Sequence, residues 1–181
     1  MKQEELINVG LAALVEDQAS SSPIVLLHDP KSNKILPIWI GDTEARAISF
    51  ALNKTGITRP MTHRLVLEVM AALGGKLVHI VITDLKKNTY YADICIMIGD
   101  RFVHIDSRPS DAIAIAVEAG APIFVVKRIM DSAAQANPFP GIIMQQREQR
   151  SIKDFKEEDL KKLGELLEKA RQREEKSADG T

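Results

Sequence analysis

Residues 102–126 read FVHIDSRPSDAIAIAVEAGAPIFVV, and this stretch decides the fold class. Its first residues, Phe102 to Ile105, have the apolar and β-branched character of a strand. Pro109 suits the first turn of a helix and Gly120 suits the position just after one, so the spacing predicts a helix between them. The apolar run Pro122–Val126 then predicts a second strand. Strand, helix and strand in close succession indicate a domain that mixes both kinds of element.

Apolar runs occur in two groups of three along the chain, with turn residues between the members of each group. Short connections of this kind predict antiparallel meanders. A polar junction and an Ala/Ile-rich helix follow each group, which a duplicated strand-strand-strand-helix unit would explain. We therefore predict an α+β fold with a mixed, largely antiparallel sheet. The six runs are Ile7–Val15, Pro23–Leu27, Ile35–Ile40, Leu77–Thr83, Tyr90–Ile98 and Phe102–Ile105, with a turn predicted at Asp84–Asn88.

Another helix is predicted between the two units. Thr62 is a suitable N-cap residue for it, and Gly74-Gly75 ends it. An apolar stripe at helical spacing is typical of an amphipathic helix that packs on a core. The stripe consists of Leu65, Val66, Val69, Met70 and Leu73.

The chain has 181 residues and a mass of 20.0 kDa, which suits one domain with an appendage. The segment NPFPG at 137–141 is a strong breaker of helices and strands. We predict a domain over 1–137, a linker over 138–151, a charged C-terminal helix over 152–176 and a disordered tail over 177–181. The narrow seam of Leu160, Leu163 and Leu167 in that helix is typical of a face that docks a partner or joins copies of the chain. We expect a homo-oligomer, with a dimer as its simplest form.

The composition excludes several classes of protein. No apolar run reaches the roughly 18 residues that a membrane span needs, and the N-terminus lacks the pattern of a signal peptide, so we expect a cytoplasmic protein without a membrane partner. Cys95 is the only cysteine, which excludes an intrachain disulfide and a cysteine-based zinc site. The net charge of -1 excludes a globally basic nucleic-acid binder but allows a local basic patch.

Charged and hydroxylic side chains cluster where the second meander enters its helix. One interpretation is structural, because side chains of these types cap a helix and offset its dipole. The other is chemical, because Arg108 and the helix start could bind a phosphate while Asp106 or Asp111 holds a divalent metal. The cluster comprises Asp106, Ser107, Arg108, Ser110 and Asp111.

Two other groups have the same ambiguity. Glu44 lies at the matching junction of the first meander, and a duplicated fold would bring it to the same cleft as the second junction. Arg59, Thr62 and His63 lie at the start of the middle helix, where an arginine can bind phosphate and a histidine can transfer a proton near neutral pH. For both groups, helix capping and surface charge are the alternative interpretation.

Three motifs together resemble the bifunctional nuclease domain of bacteria. They are LPIWIG at 36–41 followed by Glu44, RPMTH at 59–63, and IDSRPSDAI at 105–113 followed by GAPI at 120–123. The resemblance spans about residues 6–135 and rests on the order and spacing of several motifs. It implies an α+β fold and a nuclease activity on both RNA and DNA.

On that resemblance we expect an enzyme that cleaves phosphodiester bonds in nucleic acid, assisted by Mg²⁺ or Mn²⁺ and without an organic cofactor. Glu44, Asp106 and Asp111 would hold the metal, and His63 would transfer a proton. The expected catalytic residues are Asp106, Asp111, Glu44 and His63, and the expected substrate-binding residues are Arg59, Arg108, Ser107, Ser110 and Thr62. The alternative is a non-catalytic regulatory or binding module that recognises an anionic ligand or a protein partner.

Overall fold

The computed structural model describes residues 4–17, 19–53 and 58–138. Its strands are β1 Leu6–Glu16, β2 Pro23–Asp29, β3 Lys34–Trp39, β4 Gly75–Lys86, β5 Thr89–Ile98, β6 Arg101–Ser107, β7 Ile123–Val126 and β8 Gln135–Ala136. Its helices are α1 Asp42–Asn53, α2 Thr62–Ala72, α3 Pro109–Ala119 and α4 Lys127–Ala133. The strands form one mixed sheet in the order β6-β5-β4-β7-β1-β2-β3-β8. The predicted α+β fold with a mixed, largely antiparallel sheet is confirmed.

The sheet contains the same arrangement twice. β1, β2 and β3 form an antiparallel meander that leads into α1, and β4, β5 and β6 form another that leads into α3. β7 lies between the two meanders, antiparallel to β1 and parallel to β4. This order agrees with the strand-strand-strand-helix unit that the sequence repeats.

The helices α1 and α3 pack against each other on one face of the sheet. Ile48 of α1 and Ile113 of α3 are fully buried in the same cluster as Ile82 of β4. α3 also buries Ala112 and Ala116, and small side chains of this kind allow a neighbouring helix to approach closely. The packing holds α1 and α3 in contact, although their sequences lie far apart in the chain.

The hairpin between β4 and β5 is tighter than the sequence predicted. The turn was expected over Asp84–Asn88, but β4 continues to Lys86, and Lys87 and Asn88 alone form the turn. Both have positive φ, 46° and 58°, which is the left-handed pair that a two-residue type I′ turn requires. Asp84 is therefore a strand residue, and its Oδ1 accepts a hydrogen bond from Nη1 of Arg128 at 2.7 Å.

The helix α2 differs from α1 and α3 because none of its residues is fully buried. Leu65, Val69 and Leu73, which follows its last residue, are 50%, 51% and 75% exposed. Leu67 and Met70 are the α2 residues that pack on the core. The predicted apolar stripe therefore has the right spacing, but most of it faces outward.

The predicted domain boundary falls near the end of the described chain, just after β8. The linker beyond Pro138, the charged helix over 152–176 and the tail over 177–181 lie outside the described residues. None of the described helices is long and apolar enough to cross a membrane.

Candidate functional site

The junction between β6 and α3 is built without a capping side chain. β6 ends at Ser107, and Arg108 is the N-cap of α3, with extended backbone angles of φ −70° and ψ 145°. Pro109 occupies the first turn, as predicted. No side chain makes a cap hydrogen bond here, so neither Asp106 nor Ser107 has the capping role that the structural interpretation gave it.

Arg108 joins two acidic residues from different helices. Its Nε and Nη2 donate to Oδ2 and Oδ1 of Asp111 at 2.7 and 3.1 Å, which is a bidentate contact. Its Nη1 donates to Oε1 of Glu44 at 2.8 Å. Glu44 lies in the first turn of α1 and Asp111 in the first turn of α3. The guanidinium therefore connects the starts of the two helices that end the duplicated units.

His63 brings a third helix to this group. It is the second residue of α2, and its Nε2 lies 3.4 Å from Oδ1 of Asp111. The His63 side chain is 19% exposed, whereas that of Arg108 is 65% exposed. The imidazole is thus partly enclosed while the guanidinium faces solvent. We call Glu44, His63, Arg108 and Asp111 the corner site.

Contacts within the corner site set the charges of two of its groups. Burial would raise the pKa of Asp111, but hydrogen bonds from Arg108 and His63 outweigh it and hold the pKa below its ordinary value. Hydrogen bonds to Asp111 and Glu44 raise the pKa of Arg108 above its ordinary value. Both groups are therefore ionised at neutral pH. A carboxylate beside an imidazole can orient the ring and stabilise its protonated form.

The other four predicted site residues near the helix starts differ in how far they are exposed to solvent. Ser110 is buried, whereas Arg59 and Thr62 are exposed. Thr62 does not cap α2, since the N-cap is Met61 and no side chain makes a cap hydrogen bond. Oγ of Ser107 is buried and has no hydrogen-bond partner among the described residues. A buried hydroxyl in that state is uncommon and keeps its capacity to bond water or a ligand.

Asp106 lies apart from the corner site. Alternation along β6 directs Ser107 to the helix-covered face, where its cross-strand partner Ala92 is in the core. Asp106 therefore faces the other way and lies opposite Asp93. The expected grouping of Asp106 with Glu44 and Asp111 is not formed. Within residues 4–17, 19–53 and 58–138 there is no group of three or more His, Cys, Asp or Glu side chains that could hold a metal ion.

A second polar cluster, which is not among the predicted site residues, lies on the same face as Asp106. Nδ1 of His104 is 2.7 Å from Oδ2 of Asp93, and its Nε2 is 4.0 Å from Sγ of Cys95. The two-residue turn before β6 fixes this register, so the pairing of Cys95 with His104 was readable from the sequence. Burial, together with the charge of Asp93, raises the pKa of the Cys95 thiol. A buried thiol of raised pKa is a poor nucleophile, so the cluster lacks an activated attacking group.

The family model of the bifunctional nuclease domain matches residues 25–138. The chain belongs to this family. The matched stretch contains α1, α2 and α3 and therefore every member of the corner site. The resemblance drawn from the three motifs is confirmed.

Several curated proteins share this sequence pattern. An uncharacterized protein of Mycobacterium tuberculosis (strain H37Rv) is 34% identical over 162 residues, which cover 88% of this chain and 92% of that protein. The protein named Bifunctional nuclease from Oryza minuta is 31% identical over 118 residues, covering 64% of this chain and 36% of its own length. Bifunctional nuclease 2 of Arabidopsis thaliana is 28% identical over 134 residues, covering 68% and 41%. The chain thus matches less than half of the length of these plant proteins.

Proposed function

We propose that the chain is a nuclease that cleaves phosphodiester bonds in RNA, DNA or both at the corner site. Membership of the bifunctional nuclease domain family and the names of the plant relatives support this reaction class. The single observation that carries the choice of site is the contact of Arg108 with both Glu44 and Asp111, beside His63. These residues supply a cation, carboxylates and a proton carrier from three helices.

Arg108 has the properties needed to bind the phosphate that is cleaved. A guanidinium has five N–H donors, and the contacts with Asp111 and Glu44 use one N–H on each of its three nitrogens. Nη1 and Nη2 each keep one further N–H, and the side chain is largely exposed. These two donors would bind phosphate oxygens and stabilise the charge that develops on them during cleavage.

His63 is the proton carrier in this proposal. In hydrolysis, a water oxygen attacks phosphorus while the bond from phosphorus to the leaving oxygen breaks. His63 would accept the proton from the attacking water and release it to solvent after cleavage, and a second water molecule would protonate the leaving oxygen. Asp111, which contacts both His63 and Arg108, would keep the imidazole oriented.

The surrounding residues would bind the rest of the substrate. Arg59 and Thr62 are exposed at and just before the start of α2, where they would contact phosphates that flank the cleaved one. The Oγ of Ser107 and the residue Ser110 are buried, so neither is proposed to contact the substrate, and Asp106 faces the other side of the sheet.

A Mg²⁺ or Mn²⁺ ion would be held at the corner site by two protein ligands, Glu44 and Asp111. Mg²⁺ is usually held by one or two carboxylates, with waters and substrate phosphates as the other ligands. Glu44 and Asp111 offer two carboxylates that contact the same guanidinium, and Asp106 does not join them. A bound ion would neutralise phosphate charge and lower the pKa of a bound water.

A cleavage assay with matched arginine variants tests the proposal. We expect the full chain to cut single-stranded RNA or DNA oligonucleotides in Mg²⁺ or Mn²⁺, and EDTA to reduce cutting. Arg108→Lys should lower kcat/KM by about 100-fold, because the three N–H donors of lysine cannot replace the three carboxylate contacts of Arg108 and also bind phosphate. His63→Asn should lower it by about 100-fold as well.

Arg64→Lys is the matched control, because Arg64 lies next to His63 on α2 but pairs with Glu68 and Glu118 outside the corner site. Its activity should stay within about twofold of the unaltered chain. Cutting that survives both Arg108→Lys and His63→Asn would assign the activity to another site or another protein.

A non-catalytic binding module is the second candidate function. It is favoured by the fact that Arg108 already pairs with Asp111 and Glu44, since such a network can simply join α1 to α3. Thermal-shift measurements with inorganic phosphate, mononucleotides and Mg²⁺ separate the two candidates. A ligand that raises Tm in the absence of any turnover would support the module.

A further inference from the structure

The outer side of α2 is an apolar surface without a partner in the described chain. Leu65, Val66, Val69 and Leu73 are all exposed, and the helix has no fully buried residue. An amphipathic helix normally turns such a stripe toward a core. A contiguous patch of large apolar side chains exposed to solvent indicates a binding surface.

The strand β6 is an open edge of the sheet that also carries exposed apolar side chains. It is the first strand in the sheet order, so one of its sides has no strand partner among the described residues. Phe102, Val103 and Ile105 are exposed along it. Proteins usually shorten, charge or cover such an edge because its free backbone groups pair readily with another strand.

The C-terminal end of α2 lies near the start of β6. Met70 of α2 packs beside Gly75 and Ile98, and Ile98 is the cross-strand partner of Arg101 at the start of β6. Val103 and Ile105 are paired with Ile96 and Ile94, which are in the core under the helices, so they project to the same face as α2. The α2–β6 surface is defined by Leu65, Val66, Val69, Leu73, Val103 and Ile105.

We propose that a second copy of this chain covers the α2–β6 surface, with β6 of the two copies paired antiparallel about a two-fold axis. An edge strand is complementary to its own rotated copy, because the same backbone groups face each other. Val103 and Ile105 project to the same face of β6, so antiparallel pairing can place Val103 of one copy opposite Ile105 of the other, which is an apolar cross-strand pair.

The exposed area of this surface is suitable for a stable dimer. Its six side chains leave on the order of 500 Å² of apolar area in water, against the ~800 Å² per partner, about 60% of it apolar, of a standard interface. In a two-fold dimer both copies contribute this same surface, so the apolar area is supplied from both sides of the interface.

The oligomeric state of the full chain tests this proposal. Light scattering after size exclusion at tens of micromolar should give twice the chain mass of 20.0 kDa. Leu65→Glu and Val103→Lys should each give the mass of one chain with unchanged circular dichroism. Leu73→Glu should also give the mass of one chain. Because Leu73 is largely exposed, this variant should fold even where another variant does not.

Phe50→Glu is the matched control, because Phe50 is a similarly exposed apolar residue on α1, away from the α2–β6 surface. It should remain dimeric. A monomeric unaltered chain would overturn the proposal, whether residues 139–181 or a different protein then covers the surface. Dimers that persist in all three variants would overturn it as well.

Discussion

The carboxylate of Asp111 contacts side chains from both α2 and α3, and this gives it a measurable effect on stability. Its pKa in the folded chain lies below the ordinary 3.8. The ionised form therefore stabilises the fold at pH values above 3.8, and this contribution disappears as the pH falls through the folded pKa. We predict that Asp111→Asn lowers Tm by roughly 2–4 °C at pH 7, and that the difference shrinks below pH ~4.

Asp106→Asn provides the comparison in the same thermal scans, because Asp106 lies outside the corner site. Its Tm should differ from that of the unaltered chain by less than about 1 °C across the same pH range. A constant Tm difference between Asp111→Asn and the unaltered chain from pH 3 to pH 7 would contradict the claim that ionised Asp111 stabilises the fold.

At this scale the sequence predicted contacts within one helix start better than contacts between different elements. Arg108 and Asp111 were grouped correctly because they are three residues apart at a helix start. Asp106 was grouped with them by proximity in sequence, but strand alternation separates it from Ser107, its neighbour. The approach of Glu44 to the second junction was expected from the duplicated units, whereas its direct contact with Arg108 depends on helix packing, which no local pattern encodes.

Among the elements, the β4–β5 hairpin gives the sharpest prediction. Lys87 has φ of 46°, a conformation that costs energy for any residue with a Cβ. Lys87→Gly should therefore stabilise the fold by roughly 0.5–1 kcal/mol, as measured by chemical denaturation.

Lys31→Gly offers a control in another hairpin, since Lys31 is not among the described residues with positive φ. That change should destabilise the fold by about 0.5 kcal/mol, because glycine loses more conformational entropy on folding. Equal changes in the free energy of unfolding for Lys87→Gly and Lys31→Gly would show that the positive φ of Lys87 does not cost energy.

The elements also show where local patterns stop being informative. The spacing in α2 predicted a helix, and a helix is present, but the pattern cannot tell a stripe that faces its own core from one that faces outward. The turn at Asp84–Asn88 was predicted too long because Asp and Lys are common in turns. The cross-strand pairing of β4 with β5 overrode that preference.

For the molecule as a whole, the burial pattern predicts a gradient of local stability across the sheet. Amides in the centre of β4 and in β7 should exchange with solvent at least ~100-fold more slowly than those of β8, which has two residues and lies at an edge. Hydrogen exchange followed by mass spectrometry measures this order. Fast exchange in β7 would contradict its central position.

The overall architecture was largely readable because the two units repeat the same sequence of elements. The position of β7 in the sheet could not be predicted, because the sequence of a short apolar strand does not specify which strands it pairs with. Its parallel pairing with β4 and antiparallel pairing with β1 are set by the way the two meanders come together. Long-range pairing of this kind is a property of the assembled chain.

The pairing of β1 with β7 also affects how the chain is made. Residues 6–9 of β1 can pair with residues 123–126 only after the ribosome has added that later segment. Throughout that interval the first meander has an open inner edge that nothing else in the nascent polypeptide can complete. Chaperone capture during translation should therefore concentrate on lengths that stop short of β7, and should fall once that strand has left the exit tunnel.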